Sequence, residues 1–343
     1  MNKWLQILAV SLMILIVSCT SSAPAQATII RIGYFPNITH AQALIGMSAE
    51  RGDFAKSLGS VKVDAKTFNA GPDEIEALFA GELDLAYIGP NPAINGYVRS
   101  KGESVRVIAG AVSGGAVLVV RADANVKDAK DFAGRRVATP QLGNTQDVAM
   151  RYYLLSNNLA SVEKGGNVTI VPTANPDILT LFLKKEIDAA WVPEPWGARL
   201  VKEGNGKILL DERDLWQPDR KFMTACVIVS PKFMHEHPDL VRRWLTAHVE
   251  LTQWINANSA EAKRIANNEI KRLTGKALPA DELDDAWSRF DVTYDPLSAS
   301  LFVSADRAFA LGYLGKDKPD LSGIYDLDLL NQVLAEKKLP TVK

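Results

Sequence analysis

Apolar runs and amphipathic stretches alternate along most of the chain. The run from Ile29 to Tyr34 has the apolar pattern of a strand, and residues 238–257 place apolar side chains at helical spacing. Strand patterns that alternate with helical patterns are typical of parallel sheets covered by helices. The chain is therefore predicted to adopt an α/β fold.

Two segments of the chain repeat each other at a constant spacing of 104 residues. Pro72-Asp73 recurs as Pro176-Asp177, and Glu82-Leu83-Asp84 recurs as Glu186-Ile187-Asp188, each time before an apolar strand pattern. A fixed register over several matches indicates two βαβαβ units of similar build. Chance similarity is the alternative, because such residue patterns are common wherever a helix leads into a strand.

Two further strand patterns lie outside the repeated units, at 116–120 and 225–229. They bracket the second unit, and we interpret them as the two crossings between lobes. The domains are then discontinuous, with residues 28–115 and 226–343 in lobe 1 and residues 116–225 in lobe 2. A chain of this length can bury two cores, because single cores stop growing near about 250–300 residues.

The amino terminus has the pattern of an export signal. Lys3 precedes an apolar run of 14 residues, which is shorter than the roughly 20 residues needed to cross a bilayer. Cys19 follows in a context that is similar to the lipidation site of bacterial lipoproteins. We therefore expect a signal peptide over residues 1–18, acylation of Cys19, and a tether over residues 19–27. Ordinary secretion with cleavage after Ala27 is the alternative.

Composition argues against several classes of function. The net charge is −1, from 39 basic and 40 acidic residues, so the chain lacks the excess of basic residues that is typical of nucleic-acid-binding proteins. Gly-x-Ser-x-Gly, phosphate-loop and Cys-x-x-Cys motifs are missing, and neither catalytic residues nor cofactors are expected.

His235-Glu236-His237 is interpreted as a surface loop rather than a metal site, and residues 281–285 as a solvated acidic helix face. Cys226 is expected to be an inert, buried thiol.

Four predicted strands end in turns that also begin helices. The turns cover residues 35–40, 89–92, 139–147 and 193–196, and their Pro, Asn and Thr residues favour helix starts. Open α/β sheets bind ligands at the carboxyl ends of their strands. The four turns are therefore predicted to meet at a shared cleft.

Ligand contacts are predicted at these turns and at the glycine-rich loop before residue 116. His40 is the only candidate cation in the four turns, so an anion would be held mainly by backbone N–H groups at helix starts. The alternative is that the same residues only cap helices and form turns. The predicted oxyanion contacts are Asn37, Thr39, His40, Gly89, Asn91, Ser113, Gly114, Asn144, Thr145 and Gln146.

Three residues near the last turn are candidates for the rest of a ligand. Trp191 and Trp196 are predicted to form a wall for its carbon part, with burial in the core as the alternative. Glu194 is predicted to pair with an amine, although the helix dipole alone also favours a carboxylate in a first helical turn. Zwitterionic and neutral ligands are therefore candidates beside simple anions.

Several motifs occur in a recognisable order along the chain. Arg31-Ile32-Gly33-Tyr34 is followed by Gly-Glu-Leu-Asp-Leu-Ala (81–86), Gly-Asn-Thr-Gln-Asp (143–147) and Glu-Pro-Trp (194–196). Together they resemble the nitrate/sulfonate/taurine-type periplasmic binding proteins of ABC transporters, a group that includes binders of thiamine-pyrimidine precursors. The resemblance covers nearly the whole mature chain. It implies a type II periplasmic binding fold, a ligand in the cleft between two lobes, and a permease and an ATPase as partners.

The expected function is that of a substrate-binding lipoprotein of an ABC importer. The protein is expected to be a monomer, anchored by lipid in the periplasm or on the outer face of the cytoplasmic membrane, with a soluble periplasmic form as the alternative. The expected ligand is a small oxyanion or zwitterion of aliphatic sulfonate, taurine or nitrate type, or alternatively a thiamine-precursor pyrimidine or a phosphonate. The alternatives from a different functional class are a periplasmic enzyme and a ligand sensor, each built on the same fold. Pyrimidine-forming relatives share a cysteine-rich iron-binding motif, which this chain lacks.

Overall fold

A computed structural model describes residues 29–343 of the chain. The predicted signal peptide, Cys19 and the predicted tether lie outside the described residues. Within residues 29–343 no helix has both the length and the apolar character that crossing a membrane requires.

Two separate sheets form the framework of the molecule. One sheet has the strand order β11-β4-β10-β3-β1-β2, and the other has the order β7-β6-β8-β5-β9. The strands are β1 (Ile29–Tyr34), β2 (Lys62–Thr67), β3 (Leu85–Ile88), β4 (Arg106–Gly114), β5 (Ala116–Arg121), β6 (Arg136–Pro140), β7 (Thr169–Thr173), β8 (Ala189–Pro193), β9 (Gly206–Asp211), β10 (Met223–Val229) and β11 (Phe290–Val292).

Helices follow most of the parallel strands and form a long carboxyl-terminal group. The predicted helix over 238–257 is confirmed with the same bounds. The helices are α1 (Ala41–Met47), α2 (Asp53–Leu58), α3 (Gly71–Phe79), α4 (Pro90–Arg99), α5 (Thr145–Ser156), α6 (Asn175–Leu183), α7 (Trp196–Lys202), α8 (Pro231–Glu236), α9 (Pro238–Ala257), α10 (Ser259–Thr274), α11 (Ala280–Trp287), α12 (Ser298–Ala310) and α13 (Asp328–Glu336).

The two sheets share one plan, which confirms the predicted duplication of architecture. Strands β2, β1 and β3 are parallel neighbours, as are β7, β6 and β8, and each set is extended by an antiparallel strand, β10 or β5. Even the repeated aspartates have equivalent contacts. Asp84 accepts a hydrogen bond from the backbone N–H of Arg31 at 2.8 Å, and Asp188 accepts one from that of Arg136 at 2.9 Å.

The chain passes between the sheets at Gly115 and again through residues 212–222. The strand patterns that were interpreted as crossings therefore do not cross, because β5 pairs only within the second sheet and β10 only within the first. Strand β10 begins at Met223, three residues before the predicted boundary at Cys226. The domain ranges themselves stay a prediction. Below, each lobe is one sheet with the helices packed on it.

Apolar side chains bury both faces of the first sheet. On one face Phe54 stacks on Trp244 with ring centroids 3.7 Å apart, beside the buried ring of Tyr87 from β3. On the other face Cys226 is fully buried, and its thiol lies 3.4 Å from the carbonyl oxygen of Ile88. Burial raises the pKa of this thiol, which leaves it unreactive and confirms the predicted buried cysteine.

Candidate functional site

The carboxyl ends of the parallel strands from the two sheets face each other across a small polar cavity. Its volume is about 20 Å³, which leaves room for about one water molecule. Both lobes contribute to its wall, and none of the wall residues is a lysine, arginine, aspartate or glutamate. The cavity is lined by Phe35, Asn37, Thr39, His40, Asn69, Gly89, Asn144, Thr145, Gln146, Asn175, Pro193 and Thr224.

His40 is the wall residue that the sequence suggested as a cation. Its ring stacks on Phe35, with centroids 4.4 Å apart, and its Nδ1 atom accepts a hydrogen bond from the backbone N–H of Phe35 at 3.2 Å. Burial lowers the pKa of His40 to about 3, so the imidazole is neutral at neutral pH and carries its proton on Nε2. The interpretation of His40 as a cation is therefore wrong, and what its side chain offers is the neutral Nε2–H donor.

The start of helix α5 supplies three of the second lobe's residues on the wall, Asn144, Thr145 and Gln146. The side chain of Asn144, the N-cap residue, accepts no hydrogen bond from a backbone N–H of the first turn, and its Nδ2 donates to the Gln146 side-chain oxygen at 3.2 Å instead. Asp147, one residue further on, is fully engaged, because its carboxylate accepts hydrogen bonds from Thr139, Arg151 and others. The helix start therefore directs neutral polar groups and its positive dipole end at the cavity.

Two buried polar atoms of the wall have no hydrogen-bond partner. They are Oγ1 of Thr145 and Oδ1 of Asn175, and the two residues are only 5% and 4% exposed. Buried polar groups are nearly always paired, because leaving one unpaired costs about 1–3 kcal/mol. Because they lie on the wall of a cavity between two lobes, these two atoms are available to form hydrogen bonds with a ligand.

Gly89 of the first lobe lies directly against Thr145 of the second lobe. A Cβ atom added to Gly89 would lie 2.4 Å from the Thr145 hydroxyl oxygen, which is far inside van der Waals contact. The backbone of Gly89, with φ of −72°, does not itself require glycine. The absence of a side chain at residue 89 is therefore required by the closed arrangement of the lobes.

Three of the predicted oxyanion contacts lie away from the cavity. The side chain of Asn91 lines a different groove, and its amide nitrogen lies 3.4 Å from the Ser304 carbonyl oxygen. Ser113 is held inside β4, and the N–H of Gly114 donates to the Phe222 carbonyl at 3.1 Å. The loop before residue 116 therefore has paired backbone groups rather than the free ones that were expected.

The three candidates near the last turn have three different environments. Trp191 lies in the core of the second lobe, where its indole N–H donates to Glu212 at 2.8 Å, so it forms no wall. Glu194 is fully buried and is already paired with Arg289, so it is not free for a ligand amine. Trp196 remains half-buried at the interface of the lobes, and its indole N–H donates to Asn37 at 3.0 Å.

The sequence reasoning missed five residues of the wall, and the same rule could have found two of them. Asn69 follows β2 and Asn175 follows β7, so both stand at carboxyl ends of parallel strands, like the residues that were predicted. Strand β2, Lys-Val-Asp-Ala-Lys-Thr, has little apolar character and gives no clear signal. The other missed residues are Phe35, Pro193 and Thr224.

A larger chamber adjoins the cavity and shares Asn37, Asn69 and Asn175 with it. Its volume is about 310 Å³, and both lobes line it. The cavity and this chamber are called the inner cavity and the outer chamber below. Aromatic and charged residues line the outer chamber beyond the shared asparagines, namely Phe68, Trp196, Arg199, Glu203, Lys276 and Glu282 among others.

Metal binding has no support in residues 29–343, where no group of three or more His, Cys, Asp and Glu side chains has the arrangement of a metal site.

Two α/β lobes of the same build, joined by two crossings and enclosing a polar cavity, define a type II periplasmic binding fold. The chain belongs to the NMT1-like family, whose model matches residues 23–269. The predicted resemblance to the nitrate/sulfonate/taurine binding proteins is thereby confirmed.

Relatives and solved structures support the same assignment. The chain is 26% identical over 224 residues to the taurine-binding periplasmic protein of Escherichia coli K12, a match that covers 65% of this chain and 67% of the relative. The alkanesulfonate-binding protein of Xanthomonas axonopodis pv. citri, solved with MOPS bound, superposes with a TM-score of 0.73 and 18% identity, covering 89% of this chain and 100% of the other. The periplasmic nitrate-binding protein of Synechocystis PCC 6803 superposes with a TM-score of 0.72 and 17% identity, covering 92% and 90%.

Proposed function

We propose that the chain is the substrate-binding component of an ABC importer and that its lobes close on a small oxyanion or zwitterion of sulfonate type. The observation that carries this proposal is the pair of unpartnered atoms, Thr145 Oγ1 and Asn175 Oδ1, on the wall of the inner cavity. A hydroxyl can donate to an oxyanion. A side-chain amide can donate to an anion from one end and accept from an ammonium at the other.

The wall of the inner cavity has no charged residue, which agrees with an anion held by helix dipoles and hydrogen bonds. Helices α5 and α6 both begin at its wall, and in neither helix does the N-cap side chain accept a hydrogen bond from a backbone N–H of the first turn. One helix terminus contributes about 0.3–1 kcal/mol when exposed and up to about 2 when partly buried. Each hydrogen bond to a charged group adds about 1.5–3 kcal/mol. Micromolar affinity requires about 8 kcal/mol, which several such groups together can supply.

Closure of the lobes is part of the proposal. A cavity of about 20 Å³ has no room for a sulfonate group, so binding requires the lobes to separate and then to close around the ligand at a slightly wider spacing. Relatives with names that specify taurine, alkanesulfonates or nitrate support an oxyanion ligand. We expect binding without turnover, because the wall pairs no nucleophile with an available base.

The ligand class can be tested by thermal unfolding of the purified protein with taurine, ethanesulfonate, nitrate, methylphosphonate and a thiamine-precursor pyrimidine. A sulfonate at 100 times its dissociation constant should add about 2.7 kcal/mol of stability. Stabilisation by the pyrimidine alone, or by no oxyanion at any concentration, would overturn the proposed ligand. Retention of the ligand unchanged after long incubation distinguishes a binding protein from an enzyme.

We also propose that Cys19 anchors the protein to the membrane and that the protein acts there as a monomer beside a permease and an ATPase. The sequence around Cys19 supports the anchor. Cells that express the chain should incorporate a labelled fatty acid into it, and a Cys19→Ala variant should not. The absence of label in the native chain would favour cleavage after Ala27, and label in the Cys19→Ala variant would mean that Cys19 is not the acylated residue.

A further inference from the structure

The outer chamber contains a buried carboxyl group whose partner is missing. Glu282 of helix α11 lines the chamber, is only 4% exposed, and its Oε2 atom has no hydrogen-bond partner. Burial raises the pKa of Glu282, and the nearby Glu203 carboxylate acts in the same direction, while the charges of Arg199 and Lys276 act against it without a hydrogen bond to Glu282. The interpretation of residues 281–285 as a solvated acidic face is therefore wrong for this residue.

The acidic neighbours of Glu282 on the same helix are each paired with a cation. Asp281 pairs with Lys202 at 2.9 Å, Asp284 with Lys263 at 2.7 Å, and Asp285 with Arg289 at 2.6 Å. These partners lie on other helices or one turn further along the chain. Glu282 is the exception, and it is the acidic residue of this run that points into the chamber.

The cations of the outer chamber are already committed to another carboxylate. Glu203 accepts a hydrogen bond from Arg199 at 2.6 Å and from Lys276 at 3.2 Å. The guanidinium of Arg199 also lies 4.8 Å from the centre of the Trp196 ring. Among the described residues that line this chamber, Glu282 is therefore the acidic group left with a free, buried acceptor.

From this geometry we propose that the outer chamber receives the far end of the ligand and that Glu282 binds a hydrogen-bond donor there, with an ammonium group as the best match. This inference rests on the proposed function, because the anionic head must occupy the inner cavity. The two spaces share Asn37, Asn69 and Asn175, so a ligand held in the inner cavity extends past these amides into the chamber. Phe68 and Trp196 then cover its carbon segment.

The ligand class that follows is a short zwitterion, with an anionic sulfonate at one end and an amine at the other. An inorganic oxyanion such as nitrate would leave the Glu282 oxygen unpaired in the closed protein, whereas an ammonium group satisfies it. Glu282 is thus a specificity-determining residue, which takes the role that the sequence suggested for Glu194.

Taurine and ethanesulfonate test this inference directly, because they differ at one end of the molecule, where taurine carries an ammonium group. Calorimetric titration of the wild-type protein should show taurine binding about tenfold or more tightly than ethanesulfonate. In the Glu282→Gln variant this preference should disappear, through weaker binding of taurine, while the affinity for ethanesulfonate changes by less than about twofold. Asp281→Asn, on the same helix but in an exposed ion pair, is the matched control and should keep the preference.

Each outcome decides a different point. Equal binding of the two sulfonates to the wild-type protein, or equal weakening of both by Glu282→Gln, would overturn the role of Glu282 and leave the proposed function standing. If neither sulfonate binds the wild-type protein, both proposals fall. The wild-type comparison needs no variant, so it remains decisive even if the Glu282→Gln protein fails to fold.

Discussion

The Oε1 atom of Glu194 lies 2.7 Å from Nη1 of Arg289, and this ion pair joins the end of β8 in the second lobe to the residue before β11 in the first. The same two residues bind the backbone of Gly115, where the chain crosses between lobes. The N–H of Gly115 donates to the Arg289 carbonyl at 2.8 Å, and its carbonyl accepts from the N–H of Glu194 at 2.9 Å. The ion pair therefore stabilises the crossing between the lobes at Gly115, and it is not available to bind a ligand.

Removal of Arg289 should destabilise the whole protein. Arg289→Met leaves the fully buried Glu194 without its cation, so the free energy of unfolding in urea should fall by about 3–5 kcal/mol. Removal of both charges, in Glu194→Gln with Arg289→Met, should recover part of this loss. Arg220→Ala is the control, because its ion pair with Asp214 is half exposed and should contribute less than about 1 kcal/mol. Equal losses in Arg289→Met and Arg220→Ala would contradict a stabilising role.

A side chain at residue 89 should hold the lobes apart. In Gly89→Ala the new Cβ meets the Thr145 hydroxyl oxygen, so ligand affinity should fall about 5- to 150-fold while each lobe remains folded. Small-angle scattering should then show no compaction when ligand is added. The double variant Gly89→Ala/Thr145→Ala should compact again, and Thr145→Ala alone is its control. Normal compaction of Gly89→Ala would mean that the closed lobes are less tightly apposed than the structure indicates.

Loss of the Thr145 hydroxyl should change affinity and stability in different ways. Thr145→Val removes an unpaired group, so the ligand-free protein should keep or gain stability, while sulfonate affinity falls roughly 10- to 150-fold. Thr139→Val is a matched control, because the Thr139 hydroxyl donates to Asp147 at 2.8 Å. That variant should lose about 1–3 kcal/mol of stability and little affinity. The same response in both variants would count against a ligand at Thr145.

His40 should make the protein less stable in acid. Its folded-state pKa of about 3 lies below the ordinary 6.5, so the unfolded chain binds a proton that the folded protein does not. This contribution is fully present above about pH 6.5 and falls by about 1.4 kcal/mol per pH unit as the pH drops towards 3. Glu212 acts in the opposite sense, because burial raises its pKa to about 7. The measurement is therefore the difference between wild type and His40→Gln, and an unchanged slope would contradict a buried neutral imidazole.

A neutral His40 also predicts how ligand affinity depends on pH. The affinity for ethanesulfonate should stay level from about pH 8 to about pH 5.5, because no wall residue of the inner cavity gains a charge in that range. A protonated His40 would instead raise the affinity for an anion as the pH falls. Calorimetric titrations at the two ends of the range separate these cases.

The position of the site within each lobe followed from the sequence because it depends on strand direction. Parallel strands end at the same edge of a sheet, so the turns after β1 and β3 had to come together in the first sheet, and those after β6 and β8 in the second, once these strands were recognised. Thr39, Gly89 and Thr145 reach the inner cavity for this reason. The repeated spacing of 104 residues likewise reflects two helices, α3 and α6, that lead into equivalent strands.

Side-chain direction and distant partners could not be read from the sequence. Trp191 and Val192 point to opposite faces of the second sheet, and only the packed structure shows which face is covered by which helices. Glu194 and its partner Arg289 are 95 residues apart. An acidic run such as residues 281–285 has the composition of a solvated surface, so the burial of Glu282 depends on helices that pack against it from elsewhere in the chain.

The burial of Cys226 in β10 has a practical consequence for spectroscopy. A protein that begins at Ile29 contains no other cysteine, and the raised pKa of this thiol protects it from maleimide dyes. Cysteines introduced at one exposed position on each lobe would therefore take donor and acceptor fluorophores cleanly. Opening and closing could then be followed by energy transfer in single molecules, with every native residue of the β10 core left in place.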